Sequence, residues 1–219
     1  MTAADVDLSR AVSHALRHEP WLYELELDEE GWAPVGQFLA ALREKGQDWE
    51  TVSRADLERM LSTAAKRRHE LKGDRIRALY GHSLPGRLRK QPTVPPARLF
   101  HGTAPQTWTA VKSSGLLPMG RQFTHLSADR ETALAVGRRK SATPVILKVD
   151  AAAAAAAGVV FYTAGDPVWL ADGVPARYIT AASQPANDRF AEVGSDSRNN
   201  IRLFCSHSSG DHPVAPGSR

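Results

Sequence analysis

The sequence predicts an α+β protein, on three observations. Apolar residues recur at helical spacing through the first 65 residues. Two short alternating stretches separated by a turn follow. After a proline-rich segment the pattern changes to short apolar strands with two helical stretches between them. With 219 residues, 42% hydrophobic and 24% charged, the chain can bury a core and is not expected to be disordered throughout.

In chain order, Asp7 or Ser9 can cap a first helix that carries Leu8, Val12, Ala15 and Leu16 on one face. It should end near His18, because Pro20 disfavours helix at the residue before it. Leu25-Glu26-Leu27-Asp28 with Gly31-Trp32 reads as a short strand and turn. Val35 to Arg43 and Arg54 to Ala65 return to the helical period, the latter with Ser53 at its start. His69-Glu70-Leu71 and Arg75-Ile76-Arg77-Ala78 flank the turn former Lys72-Gly73-Asp74, which predicts a hairpin. Helices followed by a small hairpin describe a winged-helix-like lobe over residues 1–90. Such a lobe serves nucleic-acid binding or plain scaffolding. Residues 91–97, rich in proline, read as a linker.

Over residues 98–182 the expected strands are Arg98–His101, Phe123–Leu126, Pro144–Val149, Val159–Tyr162 and Val168–Leu170. The expected helices are Trp108–Ser114 and Asp129–Gly137, each closed by a glycine. The alanine run 151–157 is either a short helix or compositional drift. From Ser183 to Arg219 the chain is polar and aperiodic, and a mobile tail is expected.

Charge is unevenly distributed along the chain. Residues 1–58 hold 5 Lys/Arg against 13 Asp/Glu, whereas residues 59–90 hold 10 against 2. The basic stretch points to a polyanion such as nucleic acid, or else to a solvated face neutralised by the acidic segment before it. The longest uncharged run is shorter than the roughly 20 residues of a membrane span, and the N-terminus lacks a signal-peptide pattern. A soluble, cytoplasmic protein with no membrane association is therefore expected. Cys205 is the only cysteine, which leaves no intramolecular disulfide and no multi-cysteine metal site.

Nucleotide-loop, zinc-hydrolase and cysteine-nucleophile patterns are absent. What stands out is a set of arginines and histidines at element ends: Arg17-His18, Arg77 before Gly81-His82-Ser83, His101-Gly102-Thr103, His125-Leu126-Ser127 and Arg138-Arg139. Singly, each has an ordinary explanation. Cations are favoured at helix C-termini, and a strand histidine is often just a partly buried one.

Together they resemble the RNA 2′-phosphotransferase family of the KptA type. The resemblance runs in order through Leu16-Arg17-His18-Glu19-Pro20, Leu27-Asp28-Glu29-Glu30-Gly31-Trp32, Arg75–Ala78 with Gly81-His82-Ser83, and Leu99–Thr103. It continues through Gly115–Gln122, His125-Leu126-Ser127, Val136–Arg139, Pro144–Leu147, Gly158 with Phe161-Tyr162, and Val168–Leu170, and it covers about residues 8–180.

The resemblance implies a winged-helix-like lobe joined to an ADP-ribosyltransferase-like lobe. It further implies NAD-dependent removal of an internal 2′-phosphate from a tRNA-like RNA through an ADP-ribosylated RNA, as in tRNA splicing or RNA repair. The products would be nicotinamide, ADP-ribose 1″,2″-cyclic phosphate and 2′-hydroxyl RNA. NAD would be consumed as co-substrate; no metal and no obligate protein partner are expected, and a monomer would suffice. Arg17, His18, Arg77 and Arg139 would form the catalytic set, with Arg138 the neighbouring alternative to Arg139. His18 would serve as phosphate contact or proton-transfer group. His101, Gly102, Thr103, His125, Leu126 and Ser127 would hold NAD, and His82 and Ser83 are additional candidates. Forked arginines suit a phosphate dianion, and a histidine near neutrality suits proton transfer. Tyr80 stands where the family usually has glutamine. The apolar Val168-Trp169-Leu170 offers no catalytic glutamate, which separates this reading from a conventional protein ADP-ribosyltransferase. The alternative is an ADP-ribosyltransferase acting on phosphorylated nucleic-acid ends or another acceptor.

Overall fold

Thr2 starts the chain's first helix earlier than Asp7 or Ser9 would. The computed structural model describes residues 2–46 and 49–182. In it the Thr2 hydroxyl accepts from the Asp5 amide and the Asp5 carboxylate accepts from the Thr2 amide, a capping box that opens α1 at Ala3–Arg17. Leu8, Val12, Ala15 and Leu16 are buried on one face, as their spacing requires. A second capping box, Ser53 with Asp56, opens α3 (Arg54–Thr63), and Arg59 bonds both Asp5 and Asp56 to tie α1 to α3. Helix α2 (Val35–Arg43) buries Val35, Phe38, Leu39 and Leu42 against them. Burying Phe38 alone, which is 0% exposed, contributes about 2 kcal/mol.

The hairpin forms as expected from β2 (His69–Lys72) and β3 (Arg75–Ala78), with Gly73 at φ +57° in its turn. The strand expected at Leu25–Asp28 does not form. A 3-10 turn over Pro20–Tyr23 and Glu24 at φ +50° redirect the chain, and Leu25 enters the core from irregular backbone. The Asp28 carboxylate then accepts from the Glu30 and Trp32 amides and closes a turn. Pairing starts only after that turn, in β1 (Trp32–Pro34), which joins β3 to give a three-stranded antiparallel sheet of order β1-β3-β2.

The C-terminal half is a six-stranded antiparallel sheet of order β7-β8-β5-β4-β6-β9. Its strands are β4 (Arg98–Thr103), β5 (Thr124–Ser127), β6 (Val145–Asp150), β7 (Phe161–Thr163), β8 (Val168–Ala171) and β9 (Ile179–Ala181). Helices α4 (Pro105–Ser114), α5 (Arg130–Gly137) and α6 (Ala151–Ala156) connect them. The alanine run is thus a helix, capped by the Asp150 carboxylate. Strand β9 was not expected, because three residues show no usable alternation; pairing with β6 defines it. The proline-rich segment is not free chain throughout: Pro92 bridges Tyr162, and the Thr93 amide donates to the Phe161 carbonyl at 2.8 Å. The two sheets carry separate cores, one built around Leu16, Phe38 and Ile76, the other around Leu99, Leu147 and Phe161. Residues 183–219, expected to be a tail and including Cys205, lie outside the described residues.

Helix α5 crosses β4 where Gly102 faces Gly137. A Cβ on Gly102 would collide with the Ala133 carbonyl oxygen and lie 2.8 Å from the Gly137 nitrogen. Gly102 therefore sets how closely α5 can lie on the strand.

Candidate active site

Arg17 and His18 leave α1 at its C-terminal end, and the segment Gly81–Ser83 folds over them. The Ser83 amide donates to the Arg17 carbonyl at 2.9 Å, and the Ser83 hydroxyl lies 2.8 Å from His18 Nδ1. Gly81, at φ +90°, lies against the Arg17 guanidinium; a Cβ there would sit 3.4 Å from Nη1 in a backbone conformation side chains resist. Arg17 Nη2 donates to the Arg68 carbonyl at 3.2 Å, its Cζ lies 5.2 Å from the centre of the Tyr80 ring, and its buried Nε has no partner. Among the described residues no carboxylate pairs with Arg17. Burial above all, with Arg68 and Arg121 acting the same way, pushes its guanidinium down to about 10. A largely buried cation without an anion is costly, and it is a ready phosphate ligand.

His18 is held below the usual histidine range by partial burial and then by the Arg17 charge. His82 is 2% exposed, its Nε2 has no partner, and burial with nearby Lys90 and Arg17 pushes it down to about 3.

The second group lies where β4 and β5 part. These strands share one register pair, Phe100 with Ser127. Beyond it His101 Nδ1 spans the gap and donates to the His125 carbonyl at 2.8 Å. His125 Nδ1 donates in turn to the Phe123 carbonyl at 3.0 Å, and its Nε2 is buried without a partner. Burial lowers both rings, His125 to about 4. Both are therefore neutral at pH 7, each with the proton on Nδ1 and a bare Nε2 acceptor. Thr103 Oγ1 is also buried and unpartnered. Tyr80 joins the two groups, meeting His125 edge-on at 5.9 Å while its ring lies beside Arg17.

The remaining expected residues fall elsewhere. Arg77 is engaged by carboxylates, with Nε and Nη2 on Glu70 at 2.9 and 2.7 Å and Nη1 3.3 Å from Glu30. Its Cζ lies 4.2 Å from the Trp32 ring centre. It lines a cavity of about 290 Å³ with Glu30, Glu70, Lys90, Thr163 and Gly165. Arg138 and Arg139 follow α5 with exposed side chains; the neighbouring charges felt at His101 are those of Lys140 and Arg121. Leu126 is a core side chain, Ser127 is buried, and Gly102 serves helix packing.

Sequence reasoning passed over Tyr80, Arg68, Lys140, Arg121 and Gln122 as site residues. Arg68 was hidden in the run Lys66-Arg67-Arg68. Arg121-Gln122 stood inside a quoted motif with nothing in its spacing to show which way it faces. Among the described residues no cluster of three or more His, Cys, Asp or Glu is arranged to hold a metal, and no helix is long and apolar enough to cross a membrane.

The sequence of this chain has clear relatives. The family described as RNA 2′-phosphotransferase, Tpt1/KptA, matches residues 3–173. A probable RNA 2′-phosphotransferase of Acetivibrio thermocellus is 49% identical over 172 residues, which is 78% of this chain and 94% of the relative. Another from Bacillus thuringiensis subsp. konkukian is 49% identical over 173 residues, 79% of this chain and 93% of the relative. One from Streptomyces coelicolor is 41% identical over 174 residues, 80% and 93% of the two chains. A family match over residues 3–173, which takes in every residue of the two histidine groups, together with relatives of this extent, makes the chain a member of the RNA 2′-phosphotransferase (Tpt1/KptA) family.

Proposed function

We propose that this protein removes an internal 2′-phosphate from a tRNA-like RNA by transferring it to NAD, in the cytoplasm and without an obligate protein partner. The observation that carries the reading is Arg17. It is a largely buried guanidinium with no carboxylate, beside a histidine and a serine, and joined through Tyr80 to two neutral histidines. Apart from the Nη2 donor spent on the Arg68 carbonyl, its forked donors make no hydrogen bond to the described residues and suit a phosphate dianion.

NAD is fitted by the second group. The bare Nε2 of His125 and the orphan Thr103 hydroxyl offer acceptors for ribose hydroxyl or carboxamide donors. NAD supplies an electrophilic ribose carbon and a departing nicotinamide. A phosphate arrives ionised, so no glutamate is needed to orient it, in keeping with the apolar β8. Arg17 and His18 bind and orient the phosphate, and neutral His18 can take up a ribose hydroxyl proton. Arg77 and Arg139 complete the clamp in the family pattern, with Arg77 exchanging Glu70 and Glu30 for phosphate. In this reading the N-terminal half is the winged-helix-like RNA lobe and the C-terminal half the ADP-ribosyltransferase-like lobe.

The test is incubation of the purified protein with a short RNA bearing one internal 2′-phosphate, with and without NAD, read by mass spectrometry. Loss of the phosphate only with NAD, with ADP-ribose 1″,2″-cyclic phosphate formed, is the expected result. RNA that keeps its phosphate in the presence of NAD would overturn the reading.

A further inference from the structure

Arg17 rests on an aromatic ring and, among the described residues, on no carboxylate. Arg75 and Arg77 lie over the Trp32 ring and Arg87 over that of Phe123, but each of these three also has an acid: Asp28, then Glu70 with Glu30, then Asp172. Arg17 has only the Tyr80 ring, 5.2 Å from its Cζ, and the Arg68 carbonyl, 3.2 Å from Nη2. Burial is nonetheless the largest influence on its proton affinity.

The Tyr80 ring is fixed from both halves of the chain. Beside it, the Leu79 amide donates to the Arg68 carbonyl at 2.9 Å, and the Leu79 carbonyl accepts from Lys90 Nζ at 2.8 Å. Beyond it, Gln122 clasps the same segment from the start of β5. The Gln122 amide donates to the His82 carbonyl at 3.2 Å. Its Nε2 donates to the carbonyls of Gly86 at 2.7 Å and Leu84 at 3.3 Å, and its Oε1 accepts from the Leu88 amide at 3.1 Å. The Tyr80 ring itself packs against the core of Phe123, Tyr162, Ala164 and Leu170 and meets His125 edge-on. Among the described residues its hydroxyl makes no hydrogen bond, so its contacts are those of the ring.

A ring and a carboxylate act differently on a buried guanidinium. The negative face of a ring attracts the cation but leaves its charge uncancelled and its N–H donors available. A carboxylate takes those donors in pairs and cancels the charge, and a phosphate would then have to displace it.

We infer that Tyr80 is a positioning residue: its ring holds the Arg17 guanidinium in place without neutralising it, and so keeps it open to the RNA 2′-phosphate. The identity of that ligand rests on the proposed function; the placement of Tyr80 does not.

Full-length Tyr80→Phe, Tyr80→Leu, Tyr80→Gln and Tyr80→Glu proteins would be compared with wild type in melting temperature and turnover. Affinity would be titrated without NAD, for a short RNA with and without its 2′-phosphate. Tyr80→Phe keeps the ring and should stay within about twofold of wild type throughout. Tyr80→Leu fills the core but offers no ring face. It should bind the phosphorylated RNA about tenfold more weakly, leave the unphosphorylated RNA unchanged and lose turnover in proportion. Glutamine and glutamate are alike in shape and differ in charge. Tyr80→Glu, which gives Arg17 a carboxylate, should therefore bind phosphorylated RNA about tenfold more weakly than Tyr80→Gln while melting no lower. Tyr80→Leu equal to wild type in that affinity, or Tyr80→Glu equal to Tyr80→Gln, would overturn the inference. The second comparison decides it alone if Tyr80→Leu does not fold. Tyr80→Phe as impaired as Tyr80→Leu would move the role to the hydroxyl and overturn it too. If wild type prefers the phosphorylated RNA but does not remove the phosphate, the reaction assigned above fails and the role of Tyr80 stands. If wild type shows no such preference, both fall.

Discussion

His18 Nδ1 lies 2.8 Å from the hydroxyl of Ser83, 65 residues further along the chain, and the Ser83 amide is bonded to the carbonyl of Arg17. One residue thus fixes both the ring of the histidine and the backbone of the arginine beside it. Helix α1 delivers the pair, but the pose of His18 is set from the segment after the hairpin.

Ser83→Ala should therefore leave the fold intact and release the His18 ring. Turnover should fall by about tenfold, in the range expected for a displaced acid–base or phosphate contact. Ser83→Thr should retain most of it. Steady-state rates of the two variants make the comparison, and equal rates for alanine and wild type would remove Ser83 from the site.

Gly102→Ala should act on stability, since its Cβ meets the backbone of α5 and not a movable side chain. The cost should be about 3 kcal/mol, lowering the melting temperature by roughly 10 °C. Gly137→Ala should be milder, because its nearest obstacle, the Pro144 ring carbon at 2.7 Å, lies less close than the Ala133 carbonyl oxygen does to a Cβ on Gly102. Thermal melts of both variants test the order.

Acidity should weaken the protein below neutrality. His69, 3% exposed and bonded to the Ser13 hydroxyl, and His82 are both held down at about 3 by burial. Their folded values lie below the ordinary 6.5, so the unfolded chain takes up protons first. The stability they contribute is whole above 6.5 and is lost as pH falls from there towards 3. At pH 5 each should cost about 2 kcal/mol. Asp56, held at about 2 by Ser53 and Arg59, titrates below this window. Urea midpoints at pH 7.5 and pH 5 should differ accordingly, and a flat profile would mean these rings are not buried as neutral groups.

Arg77 and Arg139 separate stability from chemistry. Arg77→Ala leaves Glu30 without its cation and Glu70 with Arg67 alone, and removes the contact with Trp32, at a cost of about 2 kcal/mol. Arg139 is exposed, and its alanine variant should melt like wild type. If both belong to the phosphate clamp, both variants lose turnover well below their melting temperatures. Wild-type turnover in the Arg77 variant at such a temperature would assign that residue to the fold alone.

Much of this was legible in order along the chain. The helices at Val35–Arg43 and Arg54–Thr63, the hairpin around Gly73 and most strands of the second sheet follow from periodicity and turn chemistry, which are local properties. The strand expected at Leu25–Asp28 failed because the Asp28 side chain closes a turn that a period-two pattern cannot register. Strand β9 went unseen because only its partner β6 defines it.

The same division holds for the site. Arg17, His18, His101 and His125 are named by motif alone, since residue type and spacing are written in the chain. Their protonation states are not, because burial and neighbouring charge exist only after folding. Nor could spacing show that Arg77 faces two carboxylates while Arg17 faces none, that Tyr80 bridges the two groups, or that Gln122 clasps the segment behind His18. The sequence by itself determined most of the elements, the family and the chemistry-bearing residue types, through interactions of a few residues' reach. Tertiary structure alone decided which cations are neutralised and which are left to an anion, because charge compensation depends on distance in space and not along the chain.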